Sequence, residues 1–523
     1  CLNILELYKP ENTNQSVVNR MVGEGIRKLG GETNLYKAWD ALFRSFNKKK
    51  SNSDKGYSDG EKIFIKINQG TANATLMKDD INNGFFITEK ILNSEYAKKG
   101  LAGACETYPA VTLEILRELV NVVGVEQKNI AIGDPISHIF GHNYEAWATE
   151  FPDIIYVDRM SDKHGRTLIN PTKNDLIFYS DKSQSDKLYD VIESADYLIN
   201  IANLKPHGRA GISLTAKNHF GSHSRRSASH LHYSLISPVS MGNPTNSGYG
   251  KYRVMVDIMG SRYLGGNTLL FVVDGLYGGG SNETRAPVKY FMSPFNNDWS
   301  NSVFMSLDQV ALESVCYDFL RTEWNGTYKH NPANNQYESI PDVNGVDDYL
   351  HQAADPSAWP KNIKYDPDNS GKSLGSLGIH EHWNDPVRKQ YSRNLGSSYG
   401  IELVAIPDTL VRSVKPSLNA PSAGKSGVAV ATAGQDKKAS SSGKSISEQK
   451  KSDGIGSAQA GGVSSLAFDP GFTAKNFSSV VVDDDNVKWF LTDAGIASYN
   501  GSKWQLHNRN RKVPAKGDRK SVV

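Results

Sequence analysis

The residues best suited to chemistry cluster in one short stretch. Leu204-Lys205-Pro206-His207-Gly208-Arg209-Ala210-Gly211-Ile212-Ser213-Leu214-Thr215-Ala216-Lys217-Asn218-His219-Phe220-Gly221 combines glycines, a serine, a threonine and several cations. Such a loop suits an anion or a cofactor, because glycines let backbone N–H groups approach while cations balance charge. Lys217 and His207 are the candidate catalytic pair, about ten residues apart. A lysine here can act as a compact positive charge for phosphate or carboxylate, or as a nucleophile once burial lowers its pKa. Lys205, Gly211, Ser213, Asn218 and Asp134 are the candidate cofactor-binding residues. The plain alternative for Lys217 is a structural ion pair.

Histidines add a second possibility. Of 13 in the chain, His207, His219, His223, His230 and His232 all fall between 207 and 232. On a helix, His219 and His223 share a face, and His138 and His142 repeat the spacing. Imidazole is the commonest metal ligand, so His207, His219 and His223 are candidates for zinc, nickel or iron. The missing Glu of His-Glu-x-x-His argues against metalloprotease chemistry. The cofactor is therefore open, either a transition metal or a phosphate-containing group. His380 and His382 alternate as on a strand face and could also supply ligands, although packing beside Trp383 is the simpler role. Gly278-Gly279-Gly280 reads as a turn rather than a Walker loop, since no Gly-Lys-Ser/Thr follows. The cysteines, Cys1, Cys105 and Cys316, form neither a disulfide framework nor a CxxC site. Cys316 falls on an apolar helix face, while Cys105 is either a packed loop residue or a site thiol.

These residues need a scaffold, and the pattern supplies one. Strand-like runs occur at 62–68, 129–134, 153–157, 196–201, 269–273, 302–306 and 402–406. A helix is expected from Pro109 to Val123, stopped by Gly124, and a shorter one over 187–194. Asp308 stands where a helix N-cap belongs. This alternation predicts an α/β fold, a mainly parallel sheet flanked by helices over residues 1–412. Ligands of such sheets gather at the carboxyl ends of strands, so the loops after Asn68, Asp134, Ile201 and Asp274 are the places to expect a site.

A strand followed by Lys205-x-His207-x-x-x-Gly211-x-Ser213-Leu214-x-x-Lys217-Asn218-x-x-Gly221 resembles the signature of Domain of Unknown Function family 362. Gly60-Glu61-Lys62, Tyr108-Pro109, Gly133-Asp134, Asp274-Gly275 and Ser306-Leu307-Asp308-Gln309-Val310-Ala311-Leu312-Glu313 fit the same pattern, so the resemblance covers about residues 15–410. The stretches 346–351 and 378–383 look like those of longer members from Bacteroidetes-type bacteria. The family implies no settled activity. A more distant likeness links the 207–217 loop to nickel-pincer lactate racemase, which has a His and a cofactor-bearing Lys at similar separation. Leu214-Thr215-Ala216 stand where that enzyme has Gly-Gly-Arg, and its early Asp-x-Thr-Arg motif has no counterpart here. A shared ancestral fold is implied more than a shared reaction.

Residues 413–465 are dominated by Ser, Gly, Ala and Lys, which predicts a flexible linker. Over 466–508, strands are expected at 480–483, 489–492 and 496–499, with a turn at Asn500-Gly501 and Trp504 beyond it. This pattern resembles one repeat of the propeller of two-component regulator sensors, a module able to dock a protein partner. Residues 509–523 form a basic tail. The 59 basic and 56 acidic residues nearly cancel, so nucleic acid is not an expected partner and a small or anionic ligand is. No run of 18 apolar residues occurs, so no transmembrane segment is expected. Cys1 in place of Met fits either a removed leader, as in a lipidated start, or a shortened chain. That start, the few cysteines, the Ser-rich linker and 24 tyrosines favour an extracytoplasmic setting, periplasmic or lipid-anchored, over the cytoplasm.

Overall fold

The computed structural model describes residues 4–72, 76, 78–88, 90, 105–240, 243–281, 283, 286–325, 327–328 and 343–406. It also describes five strands further on, at 427–434, 477–482, 488–492, 495–499 and 504–507. The chain divides into two compact units, Cys1–Lys438 and Ala439–Val523.

Among the described residues, the main sheet of the first unit has nine strands: β1 Ile63–Lys66, β2 Ile130–Gly133, β3 Ile155–Asp158, β4 Arg166–Leu168, β5 Tyr197–Asn203, β6 Thr268–Gly275, β7 Ser302–Ser306, β8 Gly400–Ile406 and β9 Gly427–Gly434. They form one sheet in the order β8-β9-β7-β6-β5-β1-β2-β3-β4. From β6 through β5 and β1 to β4 all pairings are parallel, whereas β7 runs antiparallel to β6 and β8 antiparallel to β9. The expected α/β class, mainly parallel, is the one observed.

Strand β5 is buried along its whole length, as central parallel strands are when helices cover both faces. The period of two divides its side chains. Tyr197, Ile199 and Ile201 join one apolar cluster, Leu198 and Ala202 the other. In β1, Phe64 lies on the second face. Lys66 shares its parity, and so does Asn200 in β5. Two polar groups are thereby carried into an apolar run on the face that also receives Leu214, Ala216 and Phe220 of the signature loop.

The first face is covered by α1 Gln15–Gly30, α2 Leu35–Ser51, α3 Pro109–Arg117 and α4 Gly141–Ala148, through Met21, Trp39, Ile115 and Trp147. A π-helical turn, Glu118–Val123, prolongs α3, and Gly124 ends it with a left-handed φ of 89°, as expected. In the signature loop lies α5, Thr215–Asn218. The second face receives α6 Val254–Gly260, α7 Gln309–Glu323 and α8 Val343–Ala354, through Ile258, Val315, Cys316 and Leu350. Asp308 caps α7 by accepting from Ala311 N at 2.9 Å. Each fully buried aliphatic side chain stabilises the fold by about 1.5–3 kcal/mol.

The linker expectation needs correction at one point. Gly427-Val428-Ala429-Val430-Ala431-Thr432-Ala433-Gly434 forms β9, paired to both β7 and β8. Small and β-branched residues fit a pleated sheet, and composition alone hid that pattern. The rest of 413–465 lies outside the described residues, as do Asn500-Gly501 and the tail 509–523. The second unit holds β10 Phe477–Val482, β11 Lys488–Thr492, β12 Gly495–Tyr499 and β13 Trp504–His507, an antiparallel meander in sequential order. No helix among the described residues is long and apolar enough to cross a membrane.

Candidate functional site

Successive strands β1 to β4 advance in one direction across the sheet, and β5 and β6 advance in the other. The order therefore reverses between β1 and β5, where open parallel sheets leave a crevice beyond the strand ends. The loops after Lys66, Gly133, Asn203 and Gly275 all open on this edge.

At its floor lies a buried ion pair, Lys66 Nζ to Asp134 Oδ1, at 3.0 Å. The contact lacks hydrogen-bond geometry, so that carboxylate oxygen has no donor. Lys66 also donates to Ile67 O at 2.6 Å and to Asn218 Oδ1 at 3.0 Å. Asp134 Oδ2 accepts from Gln69 N at 2.9 Å. The amide of Asn218 donates to Asn200 Oδ1 at 2.8 Å, joining β5 to the pair. Burial draws the Lys66 pKa down, and Asp134 opposes the shift. Gly221 passes directly over this pair. A Cβ there would stand 2.0 Å from Asp134 Oδ1 and 2.9 Å from Lys66 Nζ. The signature glycine is thus a matter of close approach.

Nearer β6, Lys205 Nζ donates to Asn68 Oδ1 at 2.7 Å and to the Cys105 carbonyl. Gly279 packs against the stem, since a Cβ there would lie 2.3 Å from Lys205 Cβ. Close packing accounts for that glycine. The Cys105 thiol bonds Tyr277 O at 3.3 Å and is pushed up to about 12 by burial, so it is a packed thiol rather than a nucleophile. Among the described residues, neither side-chain polar atom of buried Asn203 has a hydrogen-bond partner, nor does Asp274 Oδ2 on the adjacent strand. Burial raises Asp274 to about 7, against backbone donors at Leu276 and Tyr108. It raises Glu106 to about 7 as well, against the charge of Lys205.

His207 and Lys217 face this same cluster. A two-stranded ribbon, Pro206–His207 with Gly211–Ile212, turns back through Gly211 at φ 81°. Ser213 N closes the ribbon on Lys205 O at 3.0 Å. His207 Nδ1 accepts from Arg209 N at 3.0 Å and Ala210 N at 3.1 Å, which puts the ring proton on Nε2. Burial, then the charges of Lys217, Lys205 and Arg209, hold its pKa well below the ordinary value. His207 is therefore a neutral Nε2–H donor. Lys217 follows Thr215 and Ala216, which Glu313 of α7 pins at the start of α5. Thr215 Oγ1 donates to Glu313 Oε1 at 2.6 Å, and Ala216 N donates to the same oxygen. The two motifs far apart in sequence are one joint in the fold.

Lys217 Nζ sits over the Phe220 ring, 3.8 Å from its centroid. The residue is half-buried, with its amine enclosed by protein and part of its surface open. Among the described residues it makes no hydrogen bond or close ion pair. Burial lowers its pKa to about 7; Glu283 opposes this, while Lys205, Arg209 and Lys66 add repulsion. Several groups with shifted pKa values therefore gather on this one edge of the sheet.

The helical face expected for His219 and His223 is not formed, because 219–222 is a 3-10 turn with three residues per turn. His219 Nδ1 meets Ser222 Oγ at 3.0 Å, and His223 Nδ1 donates to His219 O at 2.8 Å. Burial lowers both, His223 to about 4. His223 lies beside His230, which bonds Asp186 at 2.6 Å. Among the described residues, the one group of three metal-type ligands is Asp347, His380 and His382. It contains none of His207, His219 and His223. A cavity of about 220 Å³, lined by residues including Phe46, Lys50, Leu269 and Leu307, opens by the start of β6, at the edge opposite the crevice.

Lys66, Asn68, Glu106, Asn203, Asp274 and Glu283 were not singled out as site residues from sequence. For Lys66, Asn68, Asn203 and Asp274 the signal is a polar residue within or just beyond an apolar strand, as in Ile63-Phe64-Ile65-Lys66; Glu106 and Glu283 lie in loops and carry no such signal.

The sheet defines an α/β protein, with charged and polar residues gathered at the strand ends of its switch point. Residues 100–318 match the family described as Domain of unknown function (DUF362), less than half of the 523 residues. The matched stretch contains Asp134, Lys205, His207, Lys217 and Asn218, while Lys66 and Asn68 precede it. No curated protein and no solved structure matches the chain.

Proposed function

We propose that the crevice between the ends of β1 and β5 binds a small carboxylate- or phosphate-bearing ligand or cofactor, and that Lys217 is the amine that acts on it. The observation carrying this reading is the enclosed amine of half-buried Lys217, without an ion-pair partner among the described residues and with its pKa lowered to about 7. A structural lysine pairs and stays charged. This one is poised to be either protonated against an anion or free as a base or nucleophile near neutral pH. His207 Nε2–H supplies a neutral donor, and Lys205 adds a fixed charge. Asn203 brings an amide donor and an acceptor, each without a partner.

The test is thermal unfolding of the full chain at pH 7 with inorganic phosphate, pyrophosphate and a set of mono- and dicarboxylates, beside Lys217→Ala. A ligand at 100-fold over its Kd stabilises by about 2.7 kcal/mol, a shift easily read. The reading expects at least one anion to raise the midpoint of the native chain and to lose that effect in Lys217→Ala. Equal shifts in both proteins, or none in either, would overturn it.

A further inference from the structure

The geometry points to a divalent transition-metal site formed by Asp347, His380 and His382, separate from the strand-end crevice. One ligand atom from each residue lies within 4.8 Å of the others, and Asp347 Oδ1 is 3.0 Å from His382 Nε2 and 3.8 Å from His380 Nε2. Ligands about 2.0–2.2 Å from a tetrahedral zinc stand roughly 3.3 Å apart, so the trio closes around an ion with relative shifts of at most about 1.5 Å.

Hydrogen bonding sets the lone pairs. Ser314 Oγ spends its one hydrogen on Val310 O at 2.7 Å, so His380 Nδ1, 2.8 Å away, must be the donor to that oxygen. His380 Nε2 is therefore an acceptor. Its side chain is 1% exposed, and Nε2 has no hydrogen-bond partner. On His382, Nδ1 donates to Asp318 Oδ1 at 2.8 Å, and Nε2 accepts from Arg321 Nη1 at 3.2 Å. Asp347 Oδ1 also lacks a hydrogen-bond donor. Three ligand atoms thus converge, and two of them, His380 Nε2 and Asp347 Oδ1, are buried without a hydrogen-bond partner among the described residues. Such groups are costly unless a cation joins them.

The supporting shell fits. Asp318 holds His382 as carboxylates hold metal-bound imidazoles, and its other oxygen accepts from Trp383 N at 3.0 Å and Tyr391 OH at 2.9 Å. Arg321, 35% exposed, pairs with Asp318 Oδ1 at 3.2 Å, and among the described residues it hydrogen-bonds neither His380 Nε2 nor Asp347. Two imidazoles and one carboxylate suit zinc or iron(II), and three protein ligands leave a position open.

Full-length protein, stripped with chelator and dialysed, is titrated with zinc and separately with cobalt(II), followed by elemental analysis and the cobalt visible spectrum. Expected is equimolar binding with ligand-field bands, abolished in His380→Ala and in Asp347→Asn but kept in His219→Ala. If His380→Ala fails to fold by circular dichroism, Ser314→Ala leaves all three ligands in place and should weaken zinc by about 10- to 100-fold. No equimolar binding by native protein, unchanged binding in His380→Ala or Ser314→Ala, or loss in His219→Ala would each overturn the assignment.

Discussion

The lowered pKa of Lys217 can be read directly by competitive acylation. At pH 8, a lysine titrating at about 7 is about nine-tenths free amine. A solvent-exposed lysine at about 10.4 is roughly 0.4% free. That is a gap of about 200-fold in reactive amine. Lower basicity costs nucleophilicity; a Brønsted slope of about 0.4–0.5, as for thiols, returns some 30-fold, so the net advantage is on the order of ten. The inflection is more telling than the rate. Trace labelling with acetic anhydride between pH 5 and 11, with the Lys217 peptide quantified by mass spectrometry, should give an inflection near neutrality. Glu283→Gln removes the carboxylate that favours the charged form, so it should move the inflection lower. Saturating phosphate should move it higher. An inflection above pH 10, matching exposed lysines, would falsify the reasoning about this amine.

Three further outcomes follow from the same geometry. Asp134→Ala leaves Lys66 buried and unpaired, so chemical denaturation should show a loss of about 3–5 kcal/mol. Gly221→Ala drives a methyl into Asp134 Oδ1 and Lys66 Nζ; the unfolding free energy should fall by more than about 1 kcal/mol, and anion binding should fall with it. The carboxyl of Asp274 titrates at about 7 when folded against an ordinary 3.8, so the folded chain keeps a proton that the unfolded chain loses. Stability attributable to this group is therefore full below about pH 4 and declines through pH 7, by on the order of 2–4 kcal/mol. Asp274→Asn should flatten that part of the stability–pH curve; an unchanged slope would show that Asp274 ionises normally.

The elements were legible because the strands are apolar runs with clear breaks, and the helix from Pro109 to Gly124 carries both its start and stop signals. The loop at 204–221 was legible too, since glycine and lysine stand out after the run of β5. What sequence could not supply was adjacency. Lys66 and Asp134 meet because β1 and β2 pair in parallel register, and Lys66 meets Asn218 because the strand order reverses at β1. Glu313 pins Thr215 and Ala216 across almost a hundred residues. The His219/His223 expectation rested on α-helical spacing and met a 3-10 turn. His380 and His382 showed their alternation, but Asp347 comes from α8, and no spacing rule links it to them.

The central claim is that an anion sits between the ends of β1 and β5. A crystal of the full chain soaked in tungstate, a heavy mimic of phosphate, tests it most directly. The account predicts an anomalous peak within hydrogen-bond distance of Lys217 and of Lys205 or His207, absent from crystals of Lys217→Ala. Peaks confined to surface lysines, with this crevice empty at saturating tungstate, would contradict it.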